Sequence, residues 1–122
     1  MSGNNDKLKF IPYLESGDSR DMSLPLKNKP TIIFVHSSGC PHCVTAKPAV
    51  QALAQQFKDI NVCAIQTDDP DCAKIWSTVF APLREQIQGV PSYLGFNKNG
   101  KFVKIHEGGR DVRSLHDFAL SL

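Results

Sequence analysis

Apolar residues gather along this chain in short runs, separated by polar breaks marked with Gly, Pro and Asp. The run "TIIFVHSS" (31–38) is β-branched and apolar on consecutive positions, the pattern of a strand buried on both faces. "INVCAIQT" (60–67) repeats it. Between them, "HCVTAKPAVQALAQQFKD" places Val50, Leu53, Ala54 and Phe57 at helical spacing, with Pro41 suited to the first helical position and Pro48 expected to kink the helix. "DDPDCAKIWSTVFAPLREQI" opens on acidic residues and carries an apolar stripe of Ile75, Trp76, Val79 and Phe80, which predicts a helix broken near Pro82. "VPSYLGF" and "KFVKIHE" flank "NKNG", whose Asn99–Gly100 pair signals a hairpin. "RDVRSLHDFALSL" closes the chain as an amphipathic helix with Val112, Leu115, Phe118 and Ala119 inward. Earlier, "LKFIPYL" (8–14) reads as an edge strand because of Pro12. Residues 15–30 read as loop, and residues 1–7 as a flexible polar tail. Strands separated by helices predict a parallel section, and the terminal hairpin an antiparallel edge. The expected fold class is α/β: a central mixed sheet flanked by helices, in one domain spanning 8–122.

Composition narrows the class without naming a chemistry. A chain of 122 residues with 41% hydrophobic positions can bury one core. A formal net charge of +2, with Lys and Arg interleaved among Asp and Glu, argues for neither nucleic acid nor a membrane surface. No run approaches the ~18 apolar residues of a membrane helix. The opening "MSGNNDKLKF" lacks a signal-peptide pattern, so a cytoplasmic location is expected, with packaging in a particle or a removed leader as the alternatives. Four cysteines are too few to frame a miniprotein, and in a reducing compartment they point to catalysis or metal.

The chemistry concentrates in "SSGCPHCVTAKP". A strand that ends just before Cys40 and a helix that begins at Pro41 place one sulfur at a helix N-terminus. Unpaired N–H groups and the positive end of the helix dipole favour thiolate there. A protonated His42 adds positive charge, and Ser37, Ser38 and Gly39 leave the sulfur accessible. Cys40 is therefore expected to ionise well below the ~8.5 of a free thiol. Cys43, one turn into the helix and nearer the interior, keeps the higher value. Cys40 is the nucleophile and Cys43 the resolving thiol. A stabilised thiolate stabilises the reduced form, so the disulfide becomes a good oxidant, with a potential of roughly −200 to −120 mV.

These residues resemble the thioredoxin superfamily over about 30–122. The resemblance is carried by Cys40-Pro41-His42-Cys43 at a strand–helix junction, Pro48 five positions later, Val90–Pro91 before the hairpin, Asn99–Gly100 within it and Gly108 before the last helix. It implies a thioredoxin fold, a cis Val90–Pro91 bond facing the cysteines, and a peptide groove lined by Gly39, Cys40, Pro41, Val90 and Gly108. Substrates would add there as a strand. The centre is similar to those of DsbA-type oxidases and protein disulfide isomerases, although the 48 positions between Cys43 and Pro91 leave no room for an inserted helical domain. Three positions depart from the family pattern. Phe34 stands where a buried acid is usual, Ala64 where its lysine partner is usual, and Gly39 where a tryptophan precedes the first cysteine. With no acid at 34, no base for Cys43 is legible and its resolution is expected to be slow.

Simpler readings compete at each position. A structural zinc needs four ligands, and the sequence offers no second C-x-x-C and no H-x-x-x-H; Cys63, Cys72, His36, His106 and His116 could join only through folding. Cys63 reads as core packing; Cys72, at a helix start, as inert, with a reactive thiol or a pair with Cys63 as the alternatives; His36 as a satisfied histidine, with tuning of Cys40 as the alternative; and Lys47 as solvated. "GGRD" (108–111) reads as a helix cap, or as an anion site of the kind glutaredoxins use for glutathione. The expectation is a monomeric protein disulfide oxidoreductase, oxidase- or isomerase-leaning, acting on protein thiols and disulfides. It needs no metal or cofactor beyond the Cys40–Cys43 disulfide, and an upstream redox partner whose identity is open. The alternatives are a glutathione-linked, glutaredoxin-like reductase using Arg110 and Asp111, and a non-catalytic module whose cysteines hold zinc or bridge a dimer.

Overall fold

The computed structural model describes residues 28–70, 80–87 and 89–122. The tail 1–7, the expected strand 8–14, Cys72 and the stripe residues Ile75, Trp76 and Val79 lie outside the described residues. The elements run β1 (Thr31–His36), α1 (Pro41–Gln56), β2 (Asn61–Gln66), α2 (Ala81–Arg84), β3 (Ser92–Phe96), β4 (Phe102–Ile105) and α3 (Val112–Leu120). Four strands form one mixed sheet in the order β2-β1-β3-β4.

The unbroken apolar runs of β1 and β2 are buried on both faces, as their composition requires. Ile32 and Phe34 face α1 and α3, packing with Val50, Leu53, Tyr93, Leu115 and Phe118. Ile33 and Val35 face the opposite side, with Cys63, Ile65, Phe80, Leu83 and Phe96. Thus Cys63 is a core residue with no exposure.

Helix α1 continues through Pro48, and its buried stripe is Cys43, Ala46, Val50 and Leu53. The stripe begins earlier than the apolar pattern suggested. Ala54 and Phe57 are only partly buried. Its consequence for the site is direct: Cys43 lies on the core face of α1, while Cys40 caps the helix end.

The sheet departs from the expected parallel section at β3. Strand β1 pairs in parallel with β2, Phe34 opposite Ala64, but antiparallel with β3, Val35 opposite Ser92 and Phe34 opposite Tyr93. Strand β3 starts at the end of the sheet where β1 and β2 finish, so it runs back against β1. That direction sets Pro91, just ahead of β3, beside the end of β1 that leads to Cys40.

The β3–β4 hairpin forms, but not with a two-residue turn. Gly100 alone among its residues takes a positive φ, +83°, and the Asn97 side chain accepts from the amides of Asn99 and Lys101. A register irregularity follows at Gly95/Phe96. Gly95 is where α3 approaches the sheet: a Cβ there would lie 2.6 Å from the Phe118 ring and 2.6 Å from the Leu122 side chain. Helix α3 starts at Asp111, whose carboxylate accepts from the Ser114 amide at 3.2 Å. The Ser114 hydroxyl, donating at 2.6 Å, and then this amide hold Asp111 below the usual carboxylate range.

Candidate functional site

Three segments converge at one end of the sheet: the 37–43 junction, the Gly89–Pro91 turn and the loop after β4. Gly39 has φ +73°, a left-handed conformation that favours glycine and explains the missing tryptophan at this position. That turn delivers Cys40 as the N-cap of α1. The Cys43 amide donates to Cys40 Sγ at 3.1 Å, so the sulfur occupies the place of a capping oxygen. A disulfide joins Cys40 to Cys43, whose Cα atoms are 5.2 Å apart. Cys40 is half-buried and Cys43 is 3% exposed, so one sulfur can be reached from solvent and the other lies beneath it. Pro41 is the first helical residue, and both Pro41 and His42 are exposed on the rim.

Val90 faces the cysteines from across the site. Its carbonyl oxygen lies 3.8 Å from Cys40 Sγ, and the Val90–Pro91 peptide bond is cis. Pro91 is buried, while Val90 is half-buried and borders an open cleft of about 310 Å³. Gln86, Ile105, Glu107 and Arg110 line the same cleft. Gly108 sits in the loop between the last two, where an added Cβ would come within 2.9 Å of the His106 ring. Gly39, Cys40, Pro41 and Val90 thus gather around the disulfide. The loop of Gly108 reaches the cleft through Glu107 and Arg110, two charged residues that local spacing did not single out as lining.

On the other flank of the disulfide, a second cleft of about 140 Å³ is lined by His36, Ser38, Cys43, Lys47 and Gln66 among others. The Ser38 amide donates to Asp68 at 3.0 Å and the Ser38 hydroxyl donates to the same carboxylate, which holds Asp68 below the ordinary carboxylate range. Phe34 is fully buried and its ring stacks on His36 with centroids 5.0 Å apart. The acid and lysine usual at 34 and 64 are replaced by a large and a small apolar residue directly opposite each other in the β1–β2 register. The exchange keeps volume and removes both charges. Burial pushes the half-buried His36 below its ordinary value of 6.5, the Lys47 charge pushes it further, and Asp68 opposes them. Among the described residues no group of three His, Cys, Asp or Glu side chains could hold a metal ion. Within the same residues no helix is long and apolar enough to cross a membrane.

Comparison with known proteins agrees with this geometry. The thioredoxin family model matches residues 18–121. The thioredoxin-like protein slr1139 of Synechocystis is 30% identical over 83 residues, covering 67% of this chain and 68% of its own. Among solved structures, the exposed lipoprotein thioredoxin Etrx1 of Streptococcus pneumoniae superposes with a TM-score of 0.62 at 19% identity, over 80% of this chain and 87% of its own. Mitochondrial thioredoxin 3 of Saccharomyces cerevisiae, in its oxidised form, gives 0.59 at 16% identity, over 80% and 82%. At these identities the two structures speak for the fold.

Proposed function

This chain belongs to the thioredoxin family and is a thioredoxin-like thiol–disulfide oxidoreductase with its cysteine pair at disulfide distance, and we propose that it works chiefly by oxidising or isomerising protein thiols. The observation that carries this reading is the capping position of Cys40. Its sulfur receives the Cys43 amide at 3.1 Å and sits at the positive end of α1. A sulfur so placed is a stable thiolate and therefore a good leaving group and a poor reductant. His42, the exposed second residue of α1, adds positive charge there when protonated.

In the oxidising direction a substrate thiolate attacks Cys40 Sγ, the Cys40–Cys43 bond breaks, and Cys43 leaves with the electron pair. A second substrate thiol then attacks the mixed disulfide, forms the substrate's own disulfide and releases Cys40 as thiolate. Two electrons have moved to the pair, and a separate thiol oxidant must remove them. The Val90 backbone beside Cys40 offers an edge on which an extended substrate chain could add as a strand. The glutathione-linked alternative finds less support, because Asp111, one of its two charged groups, is engaged as the cap of α3.

Replacing Cys43 by Ser tests the reading. The variant should accumulate substrates as mixed disulfides on Cys40, released by dithiothreitol. Failure to trap any thiol protein, with Cys40 reduced and the variant folded, would contradict it.

A further inference from the structure

Among the described residues no carboxylate lines the cleft at Cys43. In the dithiol the buried sulfur is a thiol that must lose a proton before it can attack. Position 34, where the family pattern puts an acid, is a fully buried phenylalanine. Position 64, opposite it, is an alanine. His36 lies two residues further along β1, on the same face as Phe34 because strand side chains alternate, and its ring rests against the Phe34 ring. This half-buried imidazole shares a polar cleft with Cys43.

We propose that His36 is the proton acceptor for the resolving thiol, working through the polar cleft that the two side chains share and replacing the carboxylate displaced by Phe34. The inference rests on the oxidoreductase reading above. At about 140 Å³ the cleft has room for several water molecules, each needing roughly 10–15 Å³ of such space. Ser38, Lys47 and Gln66 on its walls supply the polar partners a water chain requires. The charged groups that face His36 are Lys47 from α1 and Asp68 from the turn after β2; Phe34 covers one face of the ring. Burial and Lys47 keep the imidazole neutral near pH 7, which is the form able to accept a proton, and Asp68 favours the imidazolium once it forms.

With a substrate joined to Cys40, the Cys43 proton passes through the cleft to His36. The Cys43 thiolate attacks Cys40 Sγ, the Cys40–Cys43 bond forms, and the bond to the substrate breaks with its electron pair on the substrate sulfur. The dithiol has lost two electrons and the substrate disulfide has gained them. The imidazolium then returns its proton to solvent. In the oxidising direction the same imidazolium protonates Cys43 as it leaves.

The test follows both thiols with dithiobis(nitrobenzoate) added at one equivalent to reduced protein, in a Cys72→Ser background that leaves the core residue Cys63 as the other thiol. The first chromophore leaves when Cys40 attacks, and the second leaves when Cys43 resolves the mixed disulfide. In His36→Gln the ratio of second to first rate at pH 7 should fall about tenfold or more, and its pH midpoint should rise toward the ~8.5 of an unassisted thiol. His36→Glu should recover part of the loss. An unchanged ratio and midpoint in His36→Gln would overturn the role of His36 while leaving the oxidoreductase reading intact. Absence of the first release from folded protein would overturn that reading itself. Should His36→Gln not fold, the imidazole titration of the unsubstituted protein by NMR decides: its midpoint should coincide with that of the second release, and separate midpoints would refute the assignment.

Discussion

The sulfur of Cys40 lies between two backbone groups of opposite polarity, the Cys43 amide at 3.1 Å and the Val90 carbonyl oxygen at 3.8 Å. The amide favours a thiolate and the carbonyl opposes it. The amide is nearer, donates directly, and is backed by the positive end of the α1 dipole, so the anion is predicted to be the favoured form. The carbonyl is placed instead to accept from a neutral thiol, or to meet an arriving substrate.

The balance of these groups sets the redox potential. Equilibration with glutathione buffers should give a value of roughly −200 to −120 mV. His42→Ser removes the exposed imidazole beside the pair and should move the potential about 30 mV or more toward reducing values, a tenfold change in the equilibrium constant for a two-electron couple. A potential near or below −270 mV in the unsubstituted protein would mark it as a reductase.

Phe34 is the departure from the family pattern with the clearest structural cost attached to reversing it. The ring has no exposure and packs between Ala64 and Tyr93, 5.5 Å from the Tyr93 ring. Phe34→Ala should lower stability by about 3–5 kcal/mol. Phe34→Asp buries a carboxylate where Ala64 offers no cation, so its folded pKa is raised above the unfolded value. The penalty is then smallest in acid and grows as pH rises through that folded value. Urea unfolding of both variants at several pH values checks this; a Phe34→Asp protein that gains stability with rising pH would contradict it.

The approach of α3 to the sheet at Gly95 leaves no room for a methyl group. Gly95→Ala should cost about 1–3 kcal/mol through displacement of Phe118 and Leu122. Reaction of Cys40 with small disulfides should be unaffected, because Gly95 lies on β3 away from Pro91. Denaturant melts and thiol kinetics on one sample separate the two effects.

His36 contributes a pH-dependent share of stability. Its folded pKa is depressed below 6.5, so the unfolded chain binds more protons between the two values. Stability is fully present above about 6.5 and is lost as pH falls through the folded value. Thermal unfolding followed from pH 7.5 to 5 should show this loss, and His36→Gln should lack its share. An identical pH dependence in the variant would show that the imidazole titrates as it does in the unfolded chain.

The sequence made some of these relationships readable and hid others. Strand β1 and the start of α1 were legible because a β-branched run and a proline at the first helical position are local signals. The capping place of Cys40 and the core-facing place of Cys43 followed from that junction alone. The direction of β3 did not, since helix-separated strands suggest parallel pairing and local spacing does not say at which end of the sheet β3 starts. His36 reads from sequence as a satisfied histidine or a tuner of Cys40, and Lys47 as a solvated residue. Their common cleft joins β1 to α1 with Gln66 of β2, a neighbourhood created by folding and absent from any short window. Glu107 and Arg110 entered the Val90 cleft for the same reason. By contrast, the alternation of Phe34 with His36 on one face of β1 was present in the two-residue period of a strand.

The most direct test of the account is the alkylation rate of the freshly reduced protein as a function of pH, with each modified cysteine identified by peptide mass. The capped position of Cys40 predicts that the rapid reaction falls on Cys40 and reaches half its limiting rate well below pH ~8.5. A rapid reaction with its midpoint near 8.5, or one falling on Cys43, would contradict it.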